Sequence, residues 1–130
     1  MPQESSSVQM NQLLAEMNKE GGFPISVLTD AQGLTIASSA GDGLDPERHS
    51  AVAAFLQKAV LQGSRQLGMT GADEISFSDT SGQYFVCRLF MVNDQGLILA
   101  VLSPDKQHAY RRATNHAVSR IRIIWKNFWN

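Results

Sequence analysis

Cysteine is nearly absent: Cys87 is the single one in 130 residues. One thiol excludes an intramolecular disulfide framework and a cysteine-rich zinc site, and it suits a reducing compartment, so a cytoplasmic location is expected. Long apolar runs are missing as well. No stretch approaches the ~20 apolar residues of a membrane-spanning helix, and no membrane contact is expected. The opening MPQESSSVQ lacks the basic and apolar regions of a secretory signal, and residues 1–7 are expected to form a flexible tail. No sign of charge dominates: the formal net charge is −1 with 18% charged residues, which excludes a general polyanion binder and a disordered chain. What the chain has is apolar substance, 43% of its residues, enough for one core and hence one domain over residues 8–130.

The residue groupings that carry chemistry are also missing. A Walker loop needs a lysine followed by Ser or Thr after its second glycine, and neither Gly33-Leu34-Thr35 nor Gly41-Asp42-Gly43 supplies one. In the latter loop Asp42 and Asp45 would repel an anion, so it reads as a connector. Asp30, Asp42 and Asp45 do not match the spacing of a calcium loop, and His49, His108 and His116 are too scattered for a helical zinc pair. Cys87 falls in the middle of an apolar run, as a small core residue does. No catalytic residue, metal or cofactor is expected, and the protein reads as non-enzymatic.

The periodicities that remain define a fold. Met10, Leu13, Leu14 and Met17 fall at helical spacing until Gly21, Gly22 and Pro24 stop them. Ile25 to Thr29 and Leu34 to Ser38 read as strands joined by Asp30-Ala31-Gln32-Gly33, where Asp bonds forward to backbone amides and Gly takes positive φ. Asp45 as N-cap and Pro46 at the first helical position open a long helix reaching Leu67. Its main apolar stripe is Val52, Phe55, Leu56, Ala59 and Val60, expected to face the sheet. Ala51, Ala54 and Leu61 form a second, shallower strip.

Three strands follow: Glu74 to Ser78, Gln83 to Val92 and Leu97 to Leu102, with turns at Thr80-Ser81-Gly82 and Asn93-Asp94-Gln95-Gly96. The second of these turns repeats the Gln-Gly-Leu of residues 32–34, so both glycines are expected to close hairpins. Ile75 and Phe77 alternate with polar neighbours, as in an edge strand, whereas the last two strands are apolar on both faces and should be central and covered on both sides. Ser103, Pro104 and Asp105 are expected to open a last helix with Tyr110, Ala113, Ala117, Ile121, Ile124 and Phe128 on one side. The order αββαβββα calls for an α+β fold: a single five-stranded antiparallel sheet with the middle helix on one face and the terminal helices on the other.

One local charge asymmetry stands out. Lys106, Arg111, Arg112, Arg120, Arg122 and Lys126 gather on the last helix, with no acidic residue after Asp105. Two readings stay open, a solvated face and a docking face for an acidic protein surface, with Arg111, Arg112, Arg122 and Lys126 as candidate contacts. No aromatic residue interleaves with these cations as a base-stacking platform requires, so nucleic acid is not expected. Trp125, Phe128 and Trp129 either pack on the sheet or, at Trp129, anchor a partner.

The element order, the opening hairpin GGFPISVLTDAQGLTIASS, the long helix after DPE and the run EISFSDTSGQYFVCRLFMVNDQGLILAVL resemble the roadblock/dynein light chain family over about residues 8 to 125. The resemblance implies a non-enzymatic module that forms a homodimer by pairing its third strand and middle helix with their copies. The corresponding residues are Glu74, Ile75, Ser76, Phe77 and Ser78 with Ala51, Ala54, Lys58, Leu61 and Arg65. It further implies a scaffold or regulator of a small Ras-like GTPase. Alternatives are an adaptor that tethers subunits regardless of nucleotide and a small-molecule sensor holding a ligand between its layers.

Overall fold

The computed structural model describes residues 2–105 and 109–129, with side chains of residues 6–105 and 109–127. Its elements are α1 Pro2–Gly21, β1 Ile25–Asp30, β2 Thr35–Ala40, α2 Pro46–Gln66, β3 Glu74–Ser78, β4 Tyr84–Val92, β5 Gln95–Ser103 and α3 Arg111–Trp129. All strand pairs are antiparallel, in the spatial order β2-β1-β5-β4-β3. This is the expected αββαβββα arrangement, with β5 at the centre and β3 at an edge.

Strand alternation sorts the core into two layers. Leu28, Ala37, Val86, Leu97, Leu99 and Val101 face α1 and α3, which contribute Met10, Leu14, Met17, Ala117, Ile121 and Trp125. Ile25, Val27, Phe85, Cys87, Ile98 and Ala100 face α2 and meet Ala53 and Leu56. Trp125 is thus a core residue, 6% exposed. The side chains of Phe128 and Trp129, and Lys106 and His108 entirely, lie outside the described residues.

The hairpins show which sequence likeness is structural. Asp30 Oδ1 accepts from the amides of Gln32 and Leu34 at 2.9 and 3.0 Å. Asp79 Oδ1 accepts from the amides of Ser81 and Gln83 at 2.9 and 3.0 Å and from the Ser81 hydroxyl at 2.7 Å. Each turn closes on a glycine of positive φ, Gly33 at 89° and Gly82 at 99°. Gly96 does no such work, contrary to expectation. It sits in β5 opposite Met91, and the turn is the pair Asn93-Asp94 with φ of 50° and 65°. Asn and Asp tolerate that region, so two residues suffice for a tight hairpin whose twist matches its strands. The true counterpart of Asp30-Ala31-Gln32-Gly33 is Asp79-Thr80-Ser81-Gly82.

These bonds, the Ser81 hydroxyl first, hold the Asp79 carboxyl below its ordinary 3.8. A depressed folded pKa means that the turn's contribution is present above the unfolded value and is lost as pH falls through the folded one. The amide resonances of Ser81 and Gln83 should therefore titrate with a midpoint below 3.8 and lose that transition in Asp79→Asn. A midpoint at or above that value would show that the carboxylate does not hold the turn in solution.

Four further expectations need correction. α1 reaches back to Pro2 and Ser6 is fully buried, so the helix begins before the Met10 to Met17 stripe. α3 begins at Arg111 and not near Ser103, because Ser103 still pairs with Tyr84 in the ladder. β4 is buried on both faces only in its first half: Phe85, Val86 and Cys87 are covered, whereas Met91 is 55% exposed. Most consequentially, the apolar stripe of α2 does not face the sheet as a whole. The fully buried residues of the helix are the small ones, Ser50, Ala53, Ala54 and Ser64; of the stripe Leu56 packs against the core, while Val52 and Phe55 are 39% and 70% exposed. Close approach explains this. A Cβ on Gly33 would lie 3.3 Å from Ala54 Cβ and 3.5 Å from Ala51 Cα, and Ser50 Oγ lies 2.7 Å from Thr35 Oγ1. A helix this near the β1–β2 hairpin has no room for Phe55 underneath, so its bulk turns outward.

Candidate interaction site at the open sheet edge

A sheet of this topology has two edges, and only one is open. Along β2, Asn11 Oδ1 accepts from the Ser38 amide and Asn18 Nδ2 donates to the Ser39 carbonyl, both at 3.0 Å. Side chains of α1 thus occupy backbone groups that would otherwise template another strand. β3 has no neighbour beyond it among the described strands. Ser76 and Phe77 are exposed there, and Glu74, Ile75 and Ser78 are half-buried.

Beside that edge, α2 leaves part of the sheet uncovered. Between them runs a groove of ≈ 290 Å³ lined by Arg48, His49, Val52, Phe77, Phe85 and Leu102. The Phe77 and Phe85 rings stand 5.8 Å apart and the His49 ring 6.0 Å from Phe85, so the floor is a short aromatic ladder. The groove opens to solvent and is not a chamber between the layers. With the exposed Phe55 three residues beyond Val52 on α2, it offers apolar surface of the kind that marks an interaction site.

The residues assigned to the interface from sequence divide. Phe77 and Ile75 lie beside the groove. Ala54 is buried against Gly33 and is unavailable to a partner on this face. Ala51, Lys58, Leu61 and Arg65 are exposed, but by helical spacing they lie on the side of α2 turned toward the β1–β2 hairpin, away from the groove. His49 and Val52, which line the groove, and the exposed Phe55 were not among the sequence candidates. The signal that could have turned them away from the core was the Ser50, Ala53, Ala54 and Ser64 series, a small-residue face suited to close packing.

On the opposite sheet face, Glu74 of β3 is the hub of a polar cluster. Tyr110 Oη donates to its Oε2 at 2.6 Å. Its Oε1 lies 3.6 Å from Arg88 Nε and 3.3 Å from Arg111. The contact to Arg88 is an ion pair without hydrogen-bond geometry, since neither Oε1 nor Nε has a hydrogen-bond partner. Arg88 also donates to Thr114 Oγ1 and Asn115 Oδ1, each at 2.7 Å. Desolvation first, then the bond to Glu74, pushes the Tyr110 phenol up to about 12. The cluster therefore ties the open edge strand to the first turn of α3.

Of the basic candidates, Arg111 is engaged with Glu74 although its side chain is 67% exposed. Arg122 donates to the Met91 carbonyl at 2.9 Å and stacks over Phe90. Arg112 and Lys126 are exposed. Cys87 is buried and its thiol is pushed up to about 12, a packing residue and a poor nucleophile. Among the described residues no three His, Cys, Asp or Glu side chains converge as metal ligands, and no helix is long and apolar enough to cross a membrane.

No protein-family model matches the sequence, and no curated protein matches it significantly. Solved structures do. MglB of Myxococcus xanthus superposes with a TM-score of 0.78 at 14% identity, over 95% of this chain and 92% of that one. A gliding protein MglB from Thermus thermophilus gives 0.75 at 13%, over 94% and 92%. A Roadblock/LC7 domain from Streptomyces avermitilis gives 0.67 at 16%, over 91% and 95%. At these identities the likeness is one of fold, and the chain has the roadblock-like fold.

Proposed function

We propose that the chain acts as a homodimer that binds a small Ras-like GTPase as a scaffold or regulator. The observation that carries the dimer is the open β3 edge flanked by the apolar groove. Antiparallel pairing of two β3 strands satisfies their free backbone groups and carries each α2 toward the partner's groove. A twofold interface requires one patch to be complementary to itself, and a strand edge beside a helix-lined groove meets that condition. The GTPase half rests on the roadblock-like fold shared with MglB and the Roadblock/LC7 domain, and on what the family resemblance implies. Since no arginine of this chain matches a catalytic position of the family, any effect on hydrolysis comes from positioning the GTPase's own residues.

The test is retention of purified Ras-like GTPases, loaded with GDP or with a non-hydrolysable GTP analogue, on the immobilised chain. Retention of one nucleotide form supports regulation. Equal retention of both forms indicates a tethering adaptor, and retention of neither removes the GTPase half of the reading.

A further inference from the structure

The seam between β4 and α3, on the sheet face opposite α2, holds a second recess of ≈ 270 Å³. Its walls carry Arg88, Phe90, Asn115, Val118, Ser119 and Arg122, with Asp73 the acidic residue among them. The polar groups are held in place. Because Asn115 Oδ1 accepts from Arg88 at 2.7 Å, the amide nitrogen of Asn115 is the end left to donate into the recess. Arg122 is tethered through one N–H to the Met91 carbonyl and lies 5.5 Å over the Phe90 ring, which leaves the rest of its planar fork for a ligand. Ser119 adds an exposed hydroxyl.

The same line continues along the helix. Arg111, Asn115, Ser119, Arg122 and Lys126 recur every three or four residues, so they form one row of donors beside β4. Arg122 and Lys126 have no acidic partner among the described residues. We propose that this seam docks an acidic segment of a partner protein. One aspartate or glutamate carboxylate is seated by Arg122, Asn115 and Ser119, and its apolar neighbour rests on Val118. The charge balance favours a carboxylate over a phosphate: Glu74 already offsets Arg88, and Asp73 stands against a second negative charge. The ring at the seam, Phe90, lies beneath Arg122 and offers a nucleic-acid base no open face.

The proposal does not depend on the dimer or on a GTPase. It is tested with the full chain and two fluorescein-labelled peptides, Gly-Glu-Leu-Glu-Leu-Glu-Leu-Gly and its counterpart with glutamine for every glutamate, read by fluorescence anisotropy at low ionic strength. The glutamate peptide should bind about tenfold more tightly or better, and added salt should weaken it. Arg122→Gln should lose about tenfold in affinity, the scale of one charge-assisted bond. Lys58→Gln, on the opposite face, should lose nothing. Amide shifts on binding should cluster at residues 88–90 and 115–126. Equal affinity for both peptides, or equal losses in Arg122→Gln and Lys58→Gln, would overturn the proposal. So would glutarate or inorganic phosphate matching the peptide in affinity at the same amides, or a single-stranded oligonucleotide binding there more tightly. Phe77→Lys on the other sheet face should leave peptide binding unchanged whatever it does to the oligomer, so this reading and the dimer reading fail separately.

Discussion

Phe77→Lys is expected to reduce the sedimenting mass at micromolar concentration from two chains to one while the circular dichroism spectrum stays folded. Phe77 is 48% exposed at the free edge and its ring stands 5.8 Å from that of Phe85, so the monomer keeps its fold when this half-covered ring is replaced. A dimer paired through β3 loses the burial of an aromatic side chain twice, once per subunit, and gains two lysines on an edge that must meet itself. Full burial of a large apolar side chain stabilises by roughly 1.5–3 kcal/mol; a ring already half covered gains about half of that, so two subunits lose about 1.5–3 kcal/mol, or roughly 10 to 10² in dissociation constant. Phe55→Glu, at 70% exposure on α2, should act in the same direction. Leu61→Glu separates the two sides of the helix, because Leu61 is 47% exposed but lies toward the β1–β2 hairpin. If Leu61→Glu dissociates the dimer and Phe77→Lys does not, the groove is the wrong surface. If the unmodified chain already sediments as a monomer, the proposed assembly is wrong altogether.

Glu74→Ala should lower the free energy of unfolding by about 2–4 kcal/mol in urea titrations, since it strands a largely buried guanidinium and removes the acceptor of a phenol. The side chains of Glu74 and Arg88 are each 16% exposed, so water replaces little of the lost interaction. Arg111 is 67% exposed and turns to solvent, adding almost nothing. The double change Glu74→Leu with Arg88→Met should recover much of the loss, because a buried pair replaced by apolar groups of similar volume is often neutral, whereas half a pair is costly. A single-substitution loss below about 0.5 kcal/mol would place Arg88 in water and deny the cluster a structural role. The position of Glu74 gives the result a second reading. The residue sits on the strand proposed to pair with a partner and is tied to α3, so Glu74→Ala should also weaken dimerisation and loosen the first turn of α3 in amide exchange.

The architecture was largely legible from the residues. Local signals carried it: alternation in Glu74 to Ser78, continuous apolar runs in β4 and β5, and the Asp45-Pro46 start of α2, whose Asp45 side chain does accept from the Glu47 amide. The Asp30 turn was legible for the same reason, since a carboxylate, two amides and a glycine within five residues close it without outside help. The Gly96 turn was misread because the Gln-Gly-Leu letters repeat while the cross-strand register, which places Gly96 opposite Met91, is set by pairing over the whole hairpin.

The interaction surfaces were less legible. Both sides of α2 have helical periodicity, and on hydrophobicity alone Val52 and Phe55 outrank Ser50, Ala53 and Ala54 as core. What reverses the order is a distance, the 3.3 Å between Ala54 and the space a Cβ on Gly33 would fill, and no local window contains both residues. The seam beside α3 likewise joins Arg88 to Asn115 across 27 positions. By itself the sequence determined the element order, the layers and which strands are apolar on both faces, because those follow from periodicities of two and 3.6 residues that each segment carries alone. Only the tertiary structure decided which side of α2 meets water, which sheet edge α1 closes and which cations of α3 have no acidic partner among the described residues. Each of those is settled by how closely segments distant in the chain approach one another.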